Sequence, residues 1–253
     1  MRTAHGVATL DPVDVGDHVC WLVGPGEDTT GPARAFMADG ELFGDMVLVL
    51  GGSDGVHRGP ASWESFFSEV SRGTERADRQ GFRALRVLAD LSGLPADDTR
   101  PEILARHELR LDALAADSGA ILVCVYARAA LTPQAIDQAA GVHPHHLGRG
   151  AVGPAFRLFS ADRDRWSVSG VVDTEGAESF RTALGELLTL APVLHLDCGG
   201  LEFMDSAGLT VLAGAARGLP ERRIEIHHAN DTLRRSWSLL GFQNPEIPVE
   251  LKQ

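Results

Sequence analysis

Short, nearly continuous apolar runs, separated by stretches of helical periodicity, limit what this chain can fold into more than any other feature. His18 to Val23, Met46 to Leu50, Phe82 to Leu88 and Ala120 to Tyr126 are rich in Val, Leu and Ile and too short for core helices. Between them, Ala35, Phe36, Ala38, Leu42 and Phe43 recur at helical spacing, Trp63, Phe66, Phe67 and Val70 suggest a second helix, and residues 103–116 form a charged amphipathic one. Thr132 caps a short helix opened by Pro133, and Val142 to His146 end it. Strands alternating with helices predict a parallel sheet, because a parallel crossover needs a connection long enough for a helix.

Gly148 to Pro154, with three glycines and a proline, reads as a linker. A second α/β series follows. Phe156 to Phe159 and Trp166 to Val172 read as strands, 175–190 as a helix, and Val193 to Cys198 as a short strand. A loop then runs from Gly199 to Asp205, followed by a helix from Ser206 to Ala216, a strand from Arg223 to His227, and a helix from Thr232 to Leu240 ended by Gly241. The reading is therefore two α/β units, residues 1–150 and a smaller one over 156–253, with residues 1–16 as a mobile polar arm.

Charge narrows the partners. The net charge of −12 comes with no basic stripe, so nucleic acid is not an expected partner. The three cysteines, Cys20, Cys124 and Cys198, form no disulfide framework and suit a reducing cytoplasm. Residues 1–17 hold no apolar run of signal-peptide type, and no run approaches the roughly 20 apolar residues of a membrane span. A cytoplasmic protein without membrane contact is the expectation.

In the second unit the informative run is Met204-Asp205-Ser206-Ala207-Gly208-Leu209. Taken alone, Ser206 is a helix N-cap candidate whose hydroxyl would accept a first-turn amide. The longer run Leu196 to Leu209, together with Arg234 to Phe242, resembles the STAS family, specifically its anti-sigma-factor antagonists. That resemblance covers roughly residues 156–250. It implies that Ser206 is phosphorylated by an anti-sigma factor that is also a serine kinase of the GHKL type. It further implies that the unphosphorylated domain binds this kinase through the region of Asp205, Ser206 and Gly208. Ala207 stands where several members carry a second hydroxyl, which leaves one phosphorylatable group in the motif.

In the first unit, Gly26 to Gly31 has the glycine spacing of a P-loop, but Pro32 and Ala33 replace the Lys and Ser/Thr that bind phosphate and Mg²⁺. The loop is an incidental turn or a relic. His18 and Cys20 alternate onto one face of their strand. They supply two soft-metal ligands, with Cys124 and His143 able to add others only if the fold gathers them; otherwise they are a hydrogen-bonded His and a buried Cys. No metal or cofactor is assigned. Gly16 to Leu22, Ala38 to Asp45, Cys124 to Arg128 and His143-Pro144 resemble the MEDS sensory domain over roughly residues 10–150. The resemblance implies a RecA-like α/β fold and a small, hydrocarbon-like ligand, and His18, Cys20, Trp21, Cys124, Tyr126 and His143 are the candidate sensory pocket. Val23 or Gly24 occupies the region where the family carries a Tyr.

The leading reading is a non-enzymatic signalling regulator in which the first unit senses a small apolar molecule or redox state and the second passes the signal on. Two alternatives remain open: a scaffold without a phosphoswitch, and an N-terminal activity using Cys20 or a degenerate nucleotide site. A packed core around Cys20, Trp21 and Cys124 would favour the scaffold, and an apolar cavity walled by His18 would favour sensing.

Overall fold

The computed structural model describes residues 5–51, 59–148, 153–162, 164–217, 219 and 221–252. Among these, the strands of the first unit are β1 (His5–Gly6), β2 (His18–Val23), β3 (Met46–Leu50), β4 (Leu85–Asp90), β5 (Ile121–Ala127) and β6 (His145–Leu147). Its helices are α1 (Thr30–Phe43), α2 (Trp63–Gln80), α3 (Pro101–Ser118) and α4 (Pro133–Gly141). All six strands run parallel in the order β1-β6-β2-β5-β4-β3. The second unit contains β7 (Phe156–Asp162), β8 (Arg165–Val172), α5 (Ala177–Leu190), β9 (Val193–Met204), α6 (Ser206–Ala215), β10 (Arg223–His227), α7 (Asp231–Leu239) and β11 (Val249–Leu251). Its sheet has the order β11-β10-β9-β8-β7, with only the β7–β8 pair antiparallel. The fold is thus mixed α/β in both parts.

Period-two alternation divides the first sheet into two faces. Cys20, Leu22, Leu122, Cys124 and Tyr126 pack under α2, α3 and α4, whereas Val19, Trp21, Ile121 and Val123 pack with Phe36 of α1. Val7, Leu10 and Val13 belong to this second cluster, so residues 5–16 are not a free arm. Three further differences have local causes. Gly81 caps α2 in the left-handed region (φ 76°), and Phe82 N–H turns back to Ala77 O at 3.0 Å, which delays β4 to Leu85. His145 to Leu147 form a strand because β2 offers them an edge. β9 does not stop at Cys198: it runs to Met204 with irregular pairing to β8 near Gly199 and Gly200. The expected linker falls partly on 149–152, outside the described residues.

α3 serves both units. Leu104, Leu111 and Ala115 enter the first core, while Leu109 enters the second with Phe156, Leu158 and Phe180. Arg106 forks onto Glu186 of α5 at 2.8 and 3.1 Å. Ser160 N–H on edge strand β7 donates to Asp112 Oδ2 at 2.5 Å, which satisfies an edge amide from outside the sheet. Leu109→Ala is therefore expected to destabilise the second unit's core from a helix of the first. Equilibrium urea denaturation should show a loss of about 2–5 kcal/mol, typical of a fully buried Leu.

Candidate functional site

Two places gather the residues singled out by sequence, one on the surface of the second unit and one inside the first.

On the surface, Asp205 follows β9 and precedes α6, and it is the N-cap of that helix. Its Oδ1 accepts the amides of Ala207 and Gly208 at 2.8 and 2.9 Å, and its Oδ2 accepts the Thr174 hydroxyl at 3.0 Å. Asp205 N–H in turn donates to Val172 O at 3.0 Å. Ser206 does not cap the helix: it is the first helical residue, exposed, and its hydroxyl has no partner among the described residues. Gly208 is buried, and a Cβ there would sit 2.7 Å from Met204 Cγ and 2.8 Å from Val172 Cγ1. The absence of a side chain there lets α6 pack closely on β8. Glu202 and Phe203 are exposed beside the motif.

Inside the first unit, the parallel register sets His18, Cys20, Cys124 and Tyr126 on one face of β2 and β5. His143, just beyond α4, stacks obliquely on His18 with ring centroids 4.0 Å apart. α3 adds two carboxylates that the sequence reading passed over, Glu108 and Asp112, one helical turn apart. Glu108 Oε2 lies 3.1 Å from His18 Nε2, 3.3 Å from His143 Nε2 and 3.6 Å from Cys124 Sγ, and Glu108 Oε1 accepts the Tyr126 hydroxyl. His18 Nδ1 faces Asp112 Oδ1 at 3.5 Å. All of these groups are fully buried. Burial alone would raise the Glu108 carboxyl, but His143 and His18 outweigh it and hold it far below the carboxylate range. Burial and the Glu108 charge push the thiols of Cys20 and Cys124 and the Tyr126 phenol well above their usual values. Cys20 is thus neither a thiolate nor accessible, which argues against a nucleophilic role.

Trp21 points the other way. It lines a cavity of about 530 Å³ at the C-terminal ends of β2 to β5, with a mainly apolar wall that includes Val23, Met37 and Val49 and a polar part formed by Arg34, Asp90 and Ser92. His18 is not among the residues lining it, so the six expected pocket residues divide between the two faces of the sheet. In the loop before α1, Glu27 accepts Gly24 N–H at 2.9 Å and Asp28 accepts Thr30 N–H at 2.9 Å. These acids occupy amides that a phosphate would need.

Residues 53–144 match the family model described as MEDS, the methanogen/methylotroph, DcmR sensory domain, and residues 159–250 match that described as Mlab, STAS domain. Two successive segments of the chain are thus similar to a MEDS domain and to a STAS domain. The MEDS match begins after β2 and β3, so it includes Glu108, Cys124 and His143 but not His18. An anti-sigma factor antagonist from Mycobacterium paratuberculosis is 27% identical over 38% of this chain and 85% of that one, with a TM-score of 0.33. The anti-sigma factor antagonist SpoIIAA in its unphosphorylated form is 20% identical over 39% and 88%, with a TM-score of 0.30. No curated protein matches the chain. No helix among the described residues is long and apolar enough to cross a membrane.

The cap assignment has a measurable consequence. Asp205→Ala should cost about 1 kcal/mol of stability in urea denaturation, whereas Ser206→Ala should stay within about 0.5 kcal/mol. Hydrogen bonds, first from Gly208 N–H and then from Thr174, hold the Asp205 carboxyl below its ordinary value. Its contribution is therefore complete above the unfolded carboxylate pKa and fades as pH falls through the lower folded value. The Asp205→Ala deficit should accordingly shrink in acid.

Proposed function

We propose that the chain is a signalling regulator whose STAS domain binds an anti-sigma factor with GHKL-type serine kinase activity while Ser206 is unphosphorylated. The observation that carries this reading is the exposed, unpartnered hydroxyl of Ser206, next to a helix cap already supplied by Asp205. A kinase can take this hydroxyl without removing any interaction that holds the fold together. A phosphate here would add about −1.5 to −2 charge. Because Asp205 occupies the Ala207 and Gly208 amides, the new charge cannot be absorbed by those donors and stays at the surface with Asp205 and Glu202. Phosphorylation would then act by spoiling an interface rather than by melting α6.

In this reading the first unit supplies the input and no chemistry is catalysed. The cavity beneath Trp21 supports a small apolar ligand, because open parallel sheets bind ligands beyond the carboxyl ends of their strands. Localisation in the cytoplasm follows from the same proposal, since its kinase partner and ATP act there.

The deciding experiment incubates the protein with candidate GHKL-type kinases and ATP, maps phosphate by mass spectrometry, and measures binding of each variant. Phosphate should appear on Ser206. Ser206→Ala should bind as the unmodified protein does, and Ser206→Asp should bind roughly 100-fold or more weakly, the size of a like-charge clash of several kcal/mol. Equal binding by both variants together with phosphate absent from Ser206 would discard the phosphoswitch in favour of a scaffold.

A further inference from the structure

We propose that His18 Nε2, Glu108 Oε2, Cys124 Sγ and His143 Nε2 form a closed, buried tetrahedral site for a zinc ion. The site is separate from the Ser206 surface and does not depend on the phosphoswitch.

The first support is geometric. The four ligand atoms all lie within 4.8 Å of one another. Zinc bonds of about 2.0–2.2 Å to N or O and about 2.3 Å to S, at tetrahedral angles, imply edges of roughly 3.3 Å for N–O and about 3.5–3.6 Å for N–S and O–S. The observed edges are 3.1 and 3.3 Å for His18 and His143 to Glu108, 3.4 Å for His18 to Cys124, and 3.6 Å for Cys124 to Glu108. Four of the six edges therefore stand close to the separations that a bound zinc imposes, and the other two lie within 4.8 Å.

The second support is the orientation of the imidazoles. His143 Nδ1 lies 2.7 Å from Ala139 O, where it donates, so in the neutral ring Nε2 carries the lone pair. That lone pair faces a Glu108 oxygen, also an acceptor, and Nε2 makes no acceptable hydrogen bond among the described residues. Two buried acceptors at that separation repel unless a proton or a metal cation stands between them, and a metal cation serves both imidazoles and the thiol at once. His18 also turns Nε2 toward the shared centre, 3.1 Å from Glu108 Oε2 and 3.4 Å from Cys124 Sγ, while its Nδ1 lies 3.5 Å from Asp112 Oδ1 without a hydrogen bond. An outer oxygen that fixes the far nitrogen of an imidazole is the usual support of a metal site: Ala139 O does this for His143, Asp112 stands near the far nitrogen of His18, and Tyr126 supplies the corresponding hydrogen bond to Glu108.

Charge and ligand type select the ion. One thiolate, one carboxylate and two neutral imidazoles cancel a dication, leaving no net charge among the four ligands. Magnesium and calcium prefer all-oxygen shells, whereas Cys with two His suits zinc. Four protein ligands leave no position for substrate or water, so the site is of the structural type. It would staple β2, β5, α3 and the end of α4 together, with Asp112 extending the support to Ser160 of the second sheet.

The test uses the full chain, unfolded with a chelator and refolded with excess Zn²⁺ or Co²⁺, then freed of loose metal. Zinc should be retained in near-stoichiometric amount by elemental mass spectrometry. The cobalt form should show strong tetrahedral d–d bands and a thiolate-to-cobalt charge-transfer band. Cys124→Ser should lose that band, whereas Cys20→Ser, equally buried on the neighbouring strand, should keep it. Asp112→Asn should weaken zinc binding roughly 10–100-fold. Wild-type protein that folds in excess zinc and emerges metal-free would overturn the proposal without recourse to any variant. A charge-transfer band unchanged in Cys124→Ser would overturn it equally.

Discussion

The arrangement of the chain depends on one helix that is shared by two cores. α3 crosses between the parallel sheet of the first unit and the edge strand and first helix of the second. Its two inward carboxylates sit one turn apart and face different neighbours, Glu108 the His and Cys groups of the first sheet, Asp112 both His18 and the Ser160 amide. A buried carboxylate is costly unless each of its oxygens is engaged. The engaged carboxylates act with the buried Leu104, Leu111 and Ala115 to hold α3 against the sheet. The position of the second unit follows, since β7 is tied to Asp112 and α5 to Arg106.

The same helix explains why part of the site was illegible in the sequence. Strand positions and the grouping of His18 with Cys20 followed from alternation alone, and the apolar runs of β2, β3 and β5 were plain. Glu108 and Asp112 were passed over because acids on an amphipathic helix are ordinarily solvated. The signal was nevertheless present: Leu104, Glu108, Leu111 and Ala115 fall on one stripe at spacings of four, three and four, so an acid occupies a core position. Trp21 was grouped with His18 and Cys20 because all three fall in the short run Gly16 to Leu22 that carries the resemblance. Adjacency is misleading in a strand, where odd and even residues part to opposite faces.

In the second unit, the division of β9 from its loop failed for a different reason. Gly199 and Gly200 read as a strand terminator, yet glycine also permits the irregular pairing by which β9 continues along β8. This continuation brings Met204 level with Val172, and Val172 O receives the Asp205 amide. The irregular strand therefore delivers the cap to the helix, and Gly208 lets α6 settle against β8 where any larger residue would collide with Val172.

The cap itself was misplaced by one residue, and that shift alters the physical reading of the switch. Had Ser206 been the N-cap, phosphorylation would have replaced a hydroxyl-to-amide bond with a stronger phosphate-to-amide bond, and the modified helix would have been stabilised. With Asp205 in that place, both of its oxygens are already engaged and the Ala207 and Gly208 amides are taken. A phosphate on the neighbouring residue meets a fixed negative charge instead of those donors. The interaction that stabilises the helix is thus kept apart from the group that would carry the signal. A modification at Ser206 can change what the surface attracts while the cap, and the packing beneath it, stay as they were.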